Sequence, residues 1–421
     1  MLKHLQLHYV GPSEDLEAEF GSRLNVLLGD NSLGKTFLLD VAWWALTRTW
    51  AGRPAGPVLK KNSKPSISFT FDTAMKTTEK VSRYDREHQS WPRGRGLAPN
   101  PGLVVYARVD GGFSVWDPAQ NYWRTRAGVD DPGRPAAFHF TTEQVWGGFP
   151  RDPDGKTYCR GLIEDWASWQ RDNGDAFRQF SAVLRDLSPD GESLTPGELT
   201  RVAEESDRRD IPTLVMPYGP ALPIVYASAA VKRILALAYL LVWTWTEHQR
   251  MSELRGLRLA RQVIFLIDEL EAHLHPRWQR TIVRALLDVV GAMHAGTAVQ
   301  IITATHSPLV LASLEPYFDR ETDRLLHLEL RDGKVVLEEL PWAKEGDVSA
   351  WLVSDAFGLT QARSVEAERA IEAAEAWMRG DTAALPDDLK TKAAIHKELA
   401  RVLPSMDPFW PRWVVRAENR A

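Results

Sequence analysis

Apolar positions along the chain fall into two periods, and their order predicts an α/β fold. Residues 2–10 (LKHLQLHYV) alternate apolar and polar over much of their length, which predicts a strand with one wet face. A turn at Gly11-Pro12 and a short strand near 16–20 follow. Residues 23–28 (RLNVLL) read as a strand buried on both faces, and from Lys35 the run KTFLLDVAWWALTRTW turns helical and apolar on most faces. Further strands are predicted at 66–72, 102–108, 263–267 and 299–304, with a hairpin over 324–340 turning at Asp332-Gly333. Helical periods cover 162–187, 226–245, 364–379 and 386–403. No heptad pattern is sustained, so no long coiled coil is expected. Residues 51–65 and 84–101 are irregular; Arg86, Arg93 and Arg95 in the second stretch read as cations of a solvated loop.

Two of the buried strands end in chemistry. The strand at 263–267 (VIFLI) runs straight into Asp268-Glu269, which places two carboxylates at the carboxyl edge of a parallel sheet, where α/β folds bind ligands. Adjacent ionised acids need a cation or a hydrogen-bond network to offset their desolvation. The strand at 23–28 runs into GDNSLGKT (29–36), which fits G-x-x-x-x-G-K-[ST] in the strand–loop–helix context that motif requires. Backbone N–H groups from Asn31 through Ser32 and Gly34 to Lys35 would hold phosphate oxygens at the helix start. Gly29 and Gly34 permit the close approach, Lys35 would reach the β- and γ-phosphates, and the Thr36 hydroxyl would ligate Mg²⁺. Asp30 departs from an all-neutral cradle and is expected to point outward.

Other residues gather around this pair. Thr305-His306-Ser307-Pro308 closes the next buried strand, which puts His306 one strand beyond the acids and in the site. Ser228 heads the helical run YASAAVKRILALAYLLVWTW; it is either a second phosphate contact or a plain helix cap. Pro276 suits a first helical turn and leaves 271–275 as a tight loop. Glu271, His273 and His275 invite a transition-metal reading, but the phosphate loop already accounts for a Mg²⁺ site with oxygen ligands.

Composition narrows the class. The 44% hydrophobic and 25% charged residues of this 421-residue chain are ordinary for a globular protein, which argues against wholesale disorder. A net charge of −5 gives no global nucleic-acid footprint. The single cysteine, Cys159, excludes an internal disulfide and fits a reducing cytoplasm. No leader is expected where Lys3, His4, Glu14 and Asp15 interrupt the start, and the most apolar run, 234–245, is too short to span a bilayer. The seventeen tryptophans are assigned to core packing rather than base stacking. No N/T-K-x-D motif supports guanine.

GDNSLGKT, LIDELEAHLHPRWQ and TATHSPLV, in that order, resemble the ABC-type ATPases of the RecF, SMC and overcoming-lysogenization-defect group. VVYARVDGGFSVWDP and the tail around SDAFGLTQARS are similar to ATPase subunits of bacterial antiphage systems such as Septu. The resemblance implies a P-loop ABC-type ATPase core over 1–50 and 221–340, an inserted mixed α/β lobe over 51–220, and a helical C-terminal extension over 341–421. It implies that Asp268 holds the Mg²⁺ shell, Glu269 polarises the attacking water and His306 contacts the γ-phosphate of ATP. Ser228 falls at the signature serine, which meets ATP bound to the other subunit of a dimer; the family's Ser-Gly-Gly core is here Ser228-Ala229-Ala230. Gln144 is a candidate for the glutamine lid, and 271–275 would occupy the loop crossing the dimer interface.

The expected function is ATP-dependent switching in a homodimer or higher oligomer. It would be the regulatory subunit of an antiphage complex that controls a partner nuclease of HNH type, with DNA or another nucleic acid as a further ligand and no membrane. The alternatives are a RecF- or SMC-like repair ATPase and an ATP-holding scaffold with little turnover. A transporter subunit fits the HLHP and ATHSP wording poorly, and a self-contained nuclease would need a further domain. Helix 364–379 carries an apolar stripe (Ala367, Ala370, Ile371, Ala374, Trp377, Met378), either a docking surface for the partner or core packing.

Overall fold

The computed structural model describes residues 1–58, 60, 62–73, 77–92, 100–121, 135–149, 157–189, 191–202, 209–216, 219–293 and 296–418. Arg93 and Arg95 lie outside them, and Arg86 donates to the carbonyl of Ser63 at 2.7 Å, a structural tie. Residues Met1–Lys344 form one compact unit and Glu345–Ala421 a second.

An eight-stranded sheet organises the first unit, in the order Lys334–Glu339, Arg324–Arg331, Leu24–Gly29, Ala298–Ala304, Gln262–Asp268, Leu103–Ala107, Phe113–Trp116, Phe138–Phe140. The middle pairings are all parallel, and the hairpin and the last two strands close the ends antiparallel. Register aligns Asp268 with Ala304 and Ala304 with Leu27, so the phosphate loop, the acid pair and Thr305 leave the sheet at one carboxyl edge. A second sheet is antiparallel, ordered Ser13–Glu19, Leu2–Val10, Ser66–Asp72, Thr77–Arg83. Its alternating strands turn Leu5, Leu7, Ile67, Phe69 and Phe71 inward, into one core with Trp43, Trp44, Val104, Tyr106, Ile264 and Leu266. Helix Lys35–Thr47 contributes those tryptophans and is buried on most faces, which is why its sequence shows little amphipathic contrast. Truncating a fully buried residue there, such as Leu39, to alanine would cost about 2–5 kcal/mol.

Residues 51–220 do not stand apart as a lobe. Ser66–Asp72 pairs with Leu2–Val10 and Leu103–Ala107 pairs parallel with Gln262–Asp268, so the segment supplies strands to both sheets. Every residue of Leu103–Ala107 is buried, and a strand without a wet face has to lie inside a sheet. The helical period over 162–187 is two helices, Gly161–Asp172 and Asp175–Leu187, broken where Asn173 takes a φ of 48°. The ring contact Trp166–Phe180 joins the pair, and Trp169–Tyr239 ties it to helix Ala229–Leu254. That last helix has 26 residues, well beyond its apolar run, and is long and apolar enough by length and composition to cross a membrane. Burial of 67% of that window inside the protein gives its apolarity the reason of a core helix.

In the second unit, helix Val365–Arg379 is capped by Ser364 and stopped by Gly380 at a φ of 86°. Its stripe packs inward: Ala367, Ala370, Ile371, Ala374 and Met378 join Leu389, Ile395, Leu399 and Trp413 in this unit's core. The docking surface read from that stripe is therefore internal packing.

Candidate active site

The phosphate loop leaves strand Leu24–Gly29 under close packing. Gly29 has a φ of 135°, and a Cβ there would sit 2.3 Å from the Leu328 carbonyl oxygen, so only glycine fits. Gly34, at a φ of 106°, heads helix Lys35–Thr47 without a side-chain cap. Among the described residues, the N–H groups of Asn31, Ser32 and Gly34 donate to no backbone carbonyl. Free donors at an uncapped helix start form an anion-binding cradle. Lys35 Nζ donates to the carbonyls of Gly29 at 2.6 Å and Asp30 at 2.9 Å, while the Asp30 residue is exposed, as an outward-pointing side chain would be. Burial lowers the Lys35 pKa, opposed first by the Glu269 charge.

The two halves of the site meet where Thr36 Oγ1 donates to Asp268 Oδ2 at 2.7 Å. Burial pushes the Asp268 carboxyl above its usual range, and the Glu269 charge adds to that. Its other oxygen, Oδ1, is buried with no hydrogen-bond partner among the described residues. A lone buried carboxylate oxygen beside a hydroxyl on the phosphate-loop helix is a donor set that suits Mg²⁺. Glu269 has a φ of 49°, uncommon for a residue with a side chain, and its Oε1 lies 3.8 Å from His306 Nε2.

His306 is held from behind, its N–H donating to Glu271 Oε1 at 2.6 Å. Glu271 Oε2 is buried and unpartnered among the described residues. His275 caps helix Pro276–Gln279 through Nδ1, which accepts from Arg277 N at 3.3 Å. Among the described residues the ligand atoms of Glu271, His273 and His275 do not gather, whereas those of His4, Glu17 and Glu19, on the wet face of the second sheet, lie within 4.8 Å of one another. Ser228 is exposed and caps helix Ala229–Leu254, Oγ accepting from Val231 N at 3.4 Å. Gln144 closes a capping box with Thr141 on helix Thr142–Gly147.

Two site residues escaped the sequence. Asp40, one turn beyond Thr36, has its carboxyl pushed up to about 6 by burial, against a hydrogen bond with Tyr106. Arg233 donates through Nη2 to the carbonyls of Asp268 and Glu269, both at 2.9 Å. The signal for each was a charge inside an otherwise apolar helix, a placement that needs a buried partner.

A family model described as "AAA domain, putative AbiEii toxin, Type IV TA system" matches residues 24–312. Septu protein PtuA of Bacillus thuringiensis is 22% identical over 378 residues, which cover 86% of each chain. Septu protein PtuA of Bacillus mycoides is 41% identical over 96 residues, 23% of this chain; that match spans only 12% of the relative's length. The DNA replication and repair protein RecF of Pediococcus pentosaceus is 35% identical over 104 residues, 21% of this chain and 28% of its own. Among solved structures, an SMC head bound to the C-terminal winged-helix domain of ScpA is 16% identical, with a TM-score of 0.45 over 82% of this chain and 98% of that one.

Proposed function

The chain belongs to the AAA-domain family described as putative AbiEii toxin of a Type IV toxin–antitoxin system, with the fold of an ABC-type ATPase; from that premise we propose that it binds and hydrolyses ATP as the regulatory, sensing subunit of an antiphage complex. The observation that carries the chemistry is the Thr36–Asp268 hydrogen bond, which joins a phosphate cradle to a buried acid pair. In this reading Asn31, Ser32 and Gly34 bind phosphate oxygens through backbone N–H, and Lys35 exchanges its loop carbonyls for the β- and γ-phosphates. Thr36 and Asp268 would hold Mg²⁺, which when bound neutralises phosphate charge. Glu269 orients the attacking water and accepts its proton, and His306 beside it contacts the γ-phosphate. Ser228, exposed at a helix start, meets ATP carried by a second subunit of a cytoplasmic homodimer or higher oligomer.

The similarity to Septu proteins along most of the chain supports the defence role, with a partner nuclease of HNH type in trans and nucleic acid as a further ligand. Purified protein given ATP, Mg²⁺ or Mn²⁺ and DNA should release phosphate and leave the DNA uncut, while co-expression with the neighbouring gene product should give a stable complex. DNA cleavage abolished by a mutation in this chain would overturn the regulatory role. A second reading, an ATP-holding scaffold of little turnover, draws on Ala229 and Ala230, whose Cβ atoms stand where two glycines would leave room for a phosphate.

A further inference from the structure

Arg233 sits five positions after Ser228 in helix Ala229–Leu254, and its one guanidinium collects three backbone carbonyls. Nη2 donates to those of Asp268 and Glu269, each at 2.9 Å, and Nη1 to that of Val109 at 3.3 Å. The first two belong to the acid pair, and the third to the loop that leaves strand Leu103–Ala107. The charges of Glu271, Asp268, Glu269 and Asp110 act on this half-buried cation at longer range, while its hydrogen bonds among the described residues go to backbone. The backbone it holds is unusual: Glu269 is left-handed, and its carbonyl also accepts from Ala272 N at 3.0 Å. A carbonyl fixed from two sides fixes the peptide plane after Glu269, and with it the direction in which that side chain leaves. A planar fork sets such an angle, and an ammonium does not.

We propose that Arg233 is a positioning residue that ties the helix headed by Ser228 to the Asp268–Glu269 turn, so that what meets Ser228 sets where Glu269 points. The inference rests on the reading of Glu269 as the water-orienting acid and of Ser228 as the contact for a second subunit's ATP. Five residues of helix are about 7.5 Å of stiff rod, so a shift at Ser228 reaches the guanidinium undamped. Each subunit's hydrolysis is thereby governed by the nucleotide its neighbour carries.

ATP turnover, ATP affinity and thermal unfolding midpoints of full-length Arg233→Ala, Arg233→Lys, Ser228→Ala and the Arg233→Ala/Ser228→Ala double variant test it. Arg233→Ala should keep ATP affinity within about twofold and lose roughly tenfold or more in kcat, and Arg233→Lys should recover little of it. Methylguanidinium should restore part of the rate, because a cavity of about 230 Å³ lined by Arg233, Arg108, Asp110 and His273 borders the fork. Ser228→Ala should also slow turnover, and the double variant should be no slower than Arg233→Ala alone, as for two parts of one path. Unchanged kcat in Arg233→Ala would overturn the proposal. So would a rate loss matched by lost affinity without methylguanidinium rescue, or losses that multiply in the double variant. A wild type whose ATP hydrolysis survives Glu269→Gln would instead overturn the reading beneath it.

Discussion

Thr36 Oγ1 and Asp268 Oδ2, separated by 232 positions in sequence, lie 2.7 Å apart. Asp268 is buried beside a second acid, and burial and the Glu269 charge raise its pKa against the opposing hydrogen bond from Thr36. A carboxyl whose folded pKa is raised adds stability below its unfolded pKa and loses it as pH rises through the folded value. Ionising Asp268 therefore costs the nucleotide-free folded protein stability. Asp268→Asn should raise the unfolding midpoint of the nucleotide-free protein while kcat falls about 10²-fold or more. Differential scanning fluorimetry beside a phosphate-release assay reads both; a lowered midpoint would contradict that cost.

Glu269 and Lys35 separate chemistry from binding. Glu269→Gln should bind ATP normally and lose about 10²-fold or more in hydrolysis, whereas Lys35→Ala should lose ATP binding. Equilibrium titration with a fluorescent ATP analogue, followed by single-turnover hydrolysis, distinguishes the two. Wild-type turnover in Glu269→Gln would remove Glu269 from the mechanism.

Ser228 has a structural duty as the cap of helix Ala229–Leu254, and the proposed second duty shows only between subunits. With ATP and Mg²⁺, Glu269→Gln protein should associate, and adding Ser228→Arg should abolish that association. Multi-angle light scattering reports the masses. Association and ATPase activity that both survive Ser228→Arg would leave Ser228 a helix cap.

A pH effect is expected away from the site. Asp165 accepts the Tyr239 hydroxyl at 2.7 Å, and burial raises its carboxyl from 3.8 to about 6. The raised value means that ionised Asp165 costs the folded state about 3 kcal/mol above pH 6, and that the cost vanishes below pH 4. Asp165→Asn should therefore stabilise the protein in urea at pH 8, with the gain shrinking as pH falls through 6. A gain that does not vary with pH would show that the cost lies elsewhere.

The sequence was most legible where structure is local. The phosphate loop, the acidic strand and the turn at Asp332-Gly333 each follow from residues within a few positions of one another. Partner choice among strands was not legible: Leu103–Ala107 reads as buried, but nothing in it names Gln262–Asp268 as its neighbour. The stripe on helix Val365–Arg379 is legible as apolar and equally suits a partner or its own unit; Trp413 from far along the chain decides it. Arg233 and Asp40 went unremarked because a charge in an apolar helix announces a partner without saying which.

Strand Leu24–Gly29 has both of its neighbours, Ala298–Ala304 and Arg324–Arg331, in the last third of the chain. During synthesis, at about 5–20 residues per second, the phosphate loop would emerge and then wait roughly 15–60 s for the strands that flank it. Through that interval strand Leu24–Gly29 lacks both of its sheet neighbours, and helix Lys35–Thr47 can pack its tryptophans only on the antiparallel sheet made from the first 83 residues. A chain broken off before residue 331 carries the nucleotide motif but not the fold that gives it a shape. The eight-stranded sheet is therefore completed only late in synthesis.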